Sequence, residues 1–598
     1  MYGYRTPLRD MQFVLHELLD VTGALSRLDP PSAWDRATLD QAIEGAGRFA
    51  ESELAPLRSS GDVEGCTLSD GAVRTPRGFG EAYRRFVEAG WPTLGCEEAH
   101  GGQGAPAVAY AAALETLYIA NPGWTMYFGT AHGAYECLRA HASPELKAEY
   151  LPRIVSGEWA TTMCLTEEHC GSDLGLLRTR AVPAPDGTFR ISGSKIFISG
   201  GDQDLTPNIV HLVLARLPDA PPGVAGISLF LVPKHLPTAT GLSPERNGVA
   251  AIGVEHKMGL RGSATCAMAF DDAVGWMVGQ PSQGLRSMFV MINSSRVGVA
   301  VQGLGMGQAA YASAVGYARE RLQMRAAGGA RRPDLPADPI IEHADVRRML
   351  LTQKAHVEAA RMLVYWLALL LDEDAAGADP ATRREAAGLV GLLTPVAKAF
   401  VTENGFTAAN LAIQVYGGYG YVRDYGIEQI VRDVRVAQIY EGTNGIQARD
   451  LLARKVLADG AERLGGFLAR IRHDLREGDL ARLPAVFPEA LLRLCDDLER
   501  LTREIAGAVK ARPDEVGAAG WDYLRALGHL TCGWLCARAA CVAQWRIDEG
   551  ATDPFYPSKL ATAHFYVRRL LPEGTFHVQG ARAGLASLSD LPEERLFV

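Results

Sequence analysis

No Cys-x-x-Cys pair occurs anywhere in the 598 residues. The ten cysteines are scattered, and a chain of this size needs no disulfide staples, so the reduced thiols of a cytoplasmic protein are expected. Long apolar runs are missing too: the longest, residues 362–371, is about half of the roughly 20 residues a membrane-spanning helix needs. Charged sequence bounds it on both sides, so it reads as a buried helix face and no membrane span is expected. The first 20 residues carry no cationic segment leading into an apolar one and no small-residue cleavage site, so a signal peptide is not expected. Basic charge is not in excess. The 60 Lys and Arg face 69 Asp and Glu, a net charge of −9, which disfavours a nucleic-acid binder held by bulk electrostatics. Internal repeats and low-complexity tracts are also lacking, as is any proline between Ser287 and Arg332.

What is present is globular: 47% apolar and 22% charged residues, in a chain long enough for three or four packed units at about 100 to 200 residues each. After an N-terminal extension, 1–37, apolar residues recur at helical spacing over 38–160, as at Leu114, Leu117 and Tyr118. Near Met163 the texture changes to short β-branched runs separated by turn signals such as Asp186-Gly187, giving a β-domain over 161–282. Helical periodicity resumes over 283–458, and a further helical domain, punctuated by prolines, fills 459–598. Helices and strands are segregated, which is an α+β layout and disfavours a doubly wound dinucleotide fold. The run Gly303-Leu304-Gly305-Met306-Gly307 follows no strand and sits in an apolar helical stretch, so close helix packing explains it better than a phosphate loop.

The sharpest local feature is Gln438-Ile439-Tyr440-Glu441-Gly442-Thr443-Asn444, a carboxylate among apolar and small residues at the start of a helical segment. Taken alone, Glu441 is better explained by a helix N-terminus, where acidic side chains complement the dipole. Its company changes the reading. Met163-Cys164-Leu165-Thr166-Glu167-Glu168-His169-Cys170-Gly171-Ser172-Asp173, Lys195-Ile196-Phe197-Ile198-Ser199-Gly200, Glu320-Arg321, Gln414-Val415-Tyr416-Gly417-Gly418 and Tyr440-Glu441-Gly442-Thr443 follow in order along about 50–457. Together they resemble the acyl-CoA dehydrogenase family. Residues 4–18, Glu255-His256-Lys257-Met258-Gly259 and residues 446–455 further resemble its longer members, which carry an extra C-terminal domain.

The resemblance implies the fold of that family: an N-terminal helical domain, a barrel-like middle β-domain, a C-terminal helical bundle and the extra helical domain. It implies FAD as cofactor and α,β-desaturation of an acyl-CoA thioester, with Glu441 taking the α-proton while a β-hydride leaves for the flavin. Closing water out raises the basicity of such a glutamate, and hydrogen bonds to the thioester oxygen acidify the α-carbon. For the flavin shell the resemblance implies Met163, Leu165, Thr166, Phe197 and Ser199, with Arg321, Gln323, His343, Gln414, Gly417, Gly418 and Thr443. Thr166 and Ser199 match donor positions, and Arg321 matches an arginine that reaches the FAD pyrophosphate of a neighbouring subunit, a role suited to a planar cation. Ser172, Asn293, Arg296 and Gly442 match substrate-contacting positions, although Arg296 suits a structural ion pair equally well. Phe197 stands where many relatives have tryptophan, Ala344 where they have glutamine, and Glu168 where they have proline. The implied partners are an acyl-CoA, among them a 3-methylthiopropanoyl thioester, an electron-transfer flavoprotein as acceptor, and a second copy in a homodimer.

No metal is expected. Cys164, His169 and Cys170 lack a further ligand pair at zinc-like spacing. The competing readings are a DNA-associated homologue with weak or no dehydrogenation, a flavin oxidase of the same fold, and a scaffold that uses its C-terminal domain for docking. Glu441 argues against nitroalkane-oxidising relatives, which carry aspartate there.

Overall fold

The computed structural model describes residues 4–596, so the outermost residues of the N-terminal extension and of the C-terminal domain lie outside the described residues. The chain forms two compact units. One comprises Gly45–Pro106 and Thr116–Gly298; the other comprises Met1–Glu44, Ala107–Glu115 and Val299–Val598.

The first unit carries the sheets. In its leading helical region, where only helices are expected, lies a hairpin of β1 (Thr67–Ser69) and β2 (Ala72–Arg74). Asp70 and Gly71 turn it, both at positive φ, as a tight two-residue hairpin requires. Three-residue strands carry too little alternation to register in the sequence.

The main sheet uses β3 (Trp159–Cys164), β4 (Arg180–Pro183), β5 (Phe189–Ser199), β6 (Asn208–Arg216) and β7 (Ile227–Pro233). A small ribbon, β8 (Pro237–Thr238) with β9 (Gly241–Leu242), precedes its last members, β10 (Val249–Val254) and β11 (Thr265–Val278). The order is β10-β11-β5-β4-β6-β3, and β7 pairs with both β6 and β11, closing β11, β5, β4, β6 and β7 into a ring. This is the barrel-like β-domain expected. β11 serves three neighbours, β10, β5 and β7, because it is long and bends: Cys266, Met268 and Phe270 point inward, a bulge falls at Asp271-Asp272, and Ala273 and Gly275 then take the inward phase. An extra residue in one strand shifts the side-chain phase in this way. β6 and β7 are buried on both faces and so read as continuous apolar runs. Val210, Leu212 and Leu214 pack with Tyr135 and Leu138 of the helix Ala131–His141, and with Met288 and Met291.

The second unit is helical. From Val299 the helix Gly284–Glu320 packs with Ala344–Ala376 and Pro380–Tyr416, and the C-terminal helices include Glu515–Asp548 and Phe555–Phe565. Two stretches, Pro380–Tyr421 and Glu515–Asp548, are long and apolar enough to cross a bilayer, but 72% and 83% of their apolar windows are buried. Helices apolar all round are core helices when so covered.

The glycine run is where two helices nearly touch. A Cβ on Gly303 would meet the Thr402 Cα at 3.0 Å, and one on Gly405 would meet the Gly303 carbonyl oxygen at 2.4 Å. Helix propensity alone favours alanine by about 1 kcal/mol, yet Gly405→Ala is expected to lose about 1–3 kcal/mol, because backbone faces backbone and cannot yield. A raised urea midpoint for this variant would contradict the close crossing.

Three histidines are buried neutral. Burial pushes His211 and His356 down to about 3 and His529 to about 4. An unfolded histidine titrates near 6.5, so from about pH 6.5 downward the unfolded chain binds protons the native chain refuses, and each histidine loses about 1.4 kcal/mol of stability per pH unit. Asp372 runs the other way. Burial raises it to about 7 although it accepts the amides of Ala107 and Val108, so acidification below pH 7 relieves it. Together these four groups are expected to cost cooperative unfolding stability roughly 2–3 kcal/mol per pH unit between pH 6.5 and 4.5. A thermal midpoint flat across that window would contradict it.

Candidate active site

The helical unit holds the loop around Glu441. Glu441 has φ 54° and Gly442 φ 80°, two successive left-handed residues. For a residue other than glycine such backbone is uncommon and persists where surrounding contacts impose it. The contacts are visible. Thr443, not Glu441, caps the helix Asn444–Arg449, its hydroxyl accepting the Ile446 amide at 3.2 Å. Gln447 Nε2 donates to the Glu441 carbonyl at 3.2 Å and lies 3.4 Å from that of Gly442. Buried Lys398 donates to the Gly442 carbonyl at 2.9 Å and to Asn444 Oδ1 at 2.8 Å. Asn444 Nδ2 donates to Glu403 at 2.9 Å, and Gln438 Nε2 reaches the same carboxylate at 3.0 Å. The Tyr440 hydroxyl donates to Gln302. Beneath the capped helix lies Glu515–Asp548, which approaches closely at Gly520, where a Cβ would stand 3.3 Å from the Ala448 carbonyl oxygen.

The same unit contains a cavity of about 410 Å³ lined by Arg321, Gln323, Gly417 and Gly418, together with Tyr317, Ile340, Val415, Tyr416, Tyr419 and Val422. Tyr317 and Tyr416 stack at 4.1 Å, and the Arg321 guanidinium lies 5.4 Å from the Tyr419 ring centre. Gly417 has φ 61°, and nothing stands within 4 Å of a Cβ built on it or on Gly418, so their main chain is open to a ligand. A guanidinium, stacked rings and bare backbone suit a nucleotide diphosphate. His343 touches one of these lining residues, its Nε2 2.7 Å from the Gln323 carbonyl oxygen. Gln414 is exposed one turn back, its carbonyl accepting the Gly417 amide. Thr443 belongs to the Glu441 loop instead. Tyr317 and Tyr419 escaped the sequence reading, though Tyr317 stands four residues before Arg321 and so shares its helix face.

In the sheet unit the ends of β3 and β5 come together. The Ile196 amide donates to the Thr166 carbonyl at 2.9 Å, and fully buried Lys195 donates to the Leu165 carbonyl at 3.0 Å and to Glu167 at 2.8 Å. Burial opposes the Glu167 charge, but Lys195, Thr179 and the Arg178 amide outweigh it and bring the carboxyl down to about 2. Anchored this way, the two strand ends present Met163, Leu165, Thr166 and Ser199, all half-buried. Phe197, at φ 59°, is 60% exposed, so a large apolar ring faces outward beside them. Ser172 is exposed beyond a tight turn in which Glu167 and Cys170 exchange backbone hydrogen bonds. Glu167, His169 and Cys170 could bring three ligand atoms within 4.8 Å of one another, but the carboxylate is already taken up by Lys195 and Thr179. Cys164 points elsewhere, to Thr162 and His211. Arg296 and Asn293 share a face of the helix Gly284–Glu320, Nη1 to Oδ1 at 3.4 Å.

Comparison with known proteins agrees with this architecture. Family models of the acyl-CoA dehydrogenase N-terminal, middle and C-terminal domains match residues 37–158, 162–273 and 282–457, and a model described as acetyl-CoA dehydrogenase C-terminal like matches 467–592. The chain is 39% identical over 578 residues to a 3-methylmercaptopropionyl-CoA dehydrogenase of Ruegeria pomeroyi, covering 95% of this chain and 96% of that protein. It is 34% identical over 590 residues to a broad-specificity linear acyl-CoA dehydrogenase of Mycobacterium tuberculosis, covering 96% of each. Its fold matches an acyl-CoA dehydrogenase of Bacillus anthracis complexed with FAD at a TM-score of 0.74 and 19% identity, over 95% of this chain and 91% of that one. With four family models matched in order between residues 37 and 592, the chain belongs to the acyl-CoA dehydrogenase family, in the long form with an additional C-terminal helical domain.

Proposed function

We propose that this enzyme desaturates the Cα–Cβ bond of an acyl-CoA thioester, with Glu441 as the base that takes the α-proton. The observation that carries this reading is the Glu441 loop itself. A carboxylate sits on left-handed backbone fixed by Lys398, Gln447 and Thr443, an arrangement that a mere helix cap would not need. The family is FAD-dependent, and bound FAD supplies the acceptor for the β-hydride.

The protein's own part is to hold and ionise. The Glu441 amide is the donor this chain would offer to the thioester oxygen, acidifying the α-carbon, while exclusion of water raises the basicity of the carboxylate. Arg321, Gln323, Gly417 and Gly418 line a cavity suited to the FAD diphosphate, with His343 and Gln414 adjoining and Thr443 on the catalytic loop. Met163, Leu165 and Phe197 would wall the isoalloxazine ring, and Thr166 and Ser199 would donate to it. Ser172, Asn293, Arg296 and Gly442 would contact the CoA thioester. In this reading the segments 38–160, 161–282 and 283–458 form the catalytic body, with 1–37 and 459–598 added to it.

A 3-methylthiopropanoyl thioester is the substrate favoured by the relationship to the Ruegeria enzyme. The enzyme would act in the cytoplasm as a homodimer and pass electrons to an electron-transfer flavoprotein. Anaerobic titration of the FAD-loaded protein with acyl-CoAs of increasing length and with 3-methylthiopropanoyl-CoA tests the reading. Bleaching of the flavin, fastest with the methylthio substrate, is expected. Bound FAD that no thioester bleaches would overturn the dehydrogenase reading, and faster bleaching by a straight-chain thioester would overturn the substrate.

A further inference from the structure

The lysine beneath the catalytic loop is unexplained by packing. Lys398 lies within the helix Pro380–Tyr416 and is 0% exposed, so its ammonium has given up its water. An apolar side chain would fill such a place without that cost. Its Nζ donates to the loop, to the Gly442 carbonyl at 2.9 Å and to the Asn444 side-chain oxygen at 2.8 Å. Asn444 is in turn fixed by Thr402 at 3.1 Å and Glu403 at 2.9 Å. The Gly442 carbonyl belongs to the residue directly after Glu441, and the direction of the Glu441 side chain follows from how these two left-handed residues are set. Lys398 therefore grips the loop at the residue next to the base.

We propose that Lys398 is a positioning residue for Glu441: by clamping the Gly442 carbonyl and Asn444 it aims the carboxylate at the substrate α-carbon, and its charge, one residue from the base, favours the ionised form. The inference rests on the reading of Glu441 as base. A small misplacement of a reacting group is enough to slow a reaction severely, and an adjacent cation lowers the pH at which a carboxylate ionises.

The test uses the FAD-loaded full chain as wild type, Lys398→Met, Lys398→Gln and Glu441→Gln, with anaerobic rapid-mixing measurement of flavin reduction by an acyl-CoA across pH. Lys398→Met should slow reduction at saturating thioester by about 10- to 100-fold, with little change in the thioester concentration giving half the maximal rate. The acid limb of its pH profile should move to higher pH. Lys398→Gln keeps N–H donors without the charge, so it should recover part of the rate while the acid limb stays displaced. Lys398→Met with wild-type rate and pH profile would overturn the proposal, as would lowered thermal stability with unchanged reduction. If Lys398→Met fails to fold or hold FAD, Lys398→Gln decides: an undisplaced acid limb at wild-type rate overturns it. Failure of the underlying reading looks different. Wild type would then not be reduced by any thioester, or Glu441→Gln would be reduced as fast as wild type.

Discussion

Glu441→Gln is expected to slow thioester-driven flavin reduction by about a thousandfold, while FAD stays bound and the fold intact. The magnitude is that of removing a positioned general base. Glutamine matches glutamate in size but cannot take a proton at neutral pH. The loop should survive the change because main-chain atoms hold it: Gln447 engages the Glu441 carbonyl, Lys398 the Gly442 carbonyl, and Thr443 caps the next helix. Glu441→Asp keeps the carboxylate but withdraws it by one methylene, so its rate should fall between the two. Anaerobic rapid mixing reads all three proteins on one scale, with thermal melting as the control for folding. A glutamine variant as fast as wild type would place the base elsewhere.

Arg361→Met should cost about 3–5 kcal/mol of stability, the range seen when one partner of a buried ion pair is removed. Arg361 is 1% exposed and Glu115 fully buried, with Nη2 to Oε1 at 2.6 Å. The guanidinium also reaches Gln308 at 3.0 Å and pairs with Asp10, which pairs in turn with Lys559. Lys559 continues to Glu358 at 2.8 Å. One network thus ties the N-terminal helix Leu8–Gln12, the bundle helix Ala344–Ala376 and the C-terminal helix Phe555–Phe565. In the Met variant Glu115 would keep the Tyr365 hydroxyl, at 2.6 Å, against its burial, and Asp10 would lose one of its two cations. Denaturant unfolding measures the loss. Adding Glu115→Gln should restore part of it, because the stranded charge is gone. A single variant as stable as wild type would mean the network contributes nothing.

Several features were legible because they are local. Turn pairs such as Asp186-Gly187, the β-branched runs of β6 and β7 and the proline-free stretch after Ser287 mark strands and helices through short-range chemistry. The glycines at 303, 305 and 307 were legible as packing, and the structure shows what Gly303 and Gly405 pack against. Motif order pointed to the family through residues that are neighbours in sequence, as in Tyr440-Glu441-Gly442-Thr443. The hairpin at Asp70-Gly71 was missed because its strands are too short to show a period.

The sequence by itself determined the segregation of helices from strands, the candidate base and the class of cofactor, since periodicity and motifs are written in neighbouring residues. The tertiary structure alone decided what holds the Glu441 loop. Lys398, Gln302 and Glu403 lie far along the chain from Glu441, and no spacing rule joins residues brought together by helix crossings. It alone decided the left-handed backbone of Glu441 and Phe197, which side chains of those types avoid when free. It alone joined Asp10, Arg361 and Lys559, because the attraction that pairs buried charges depends on distance in space and on the water excluded around them, and neither quantity is written in the order of the residues.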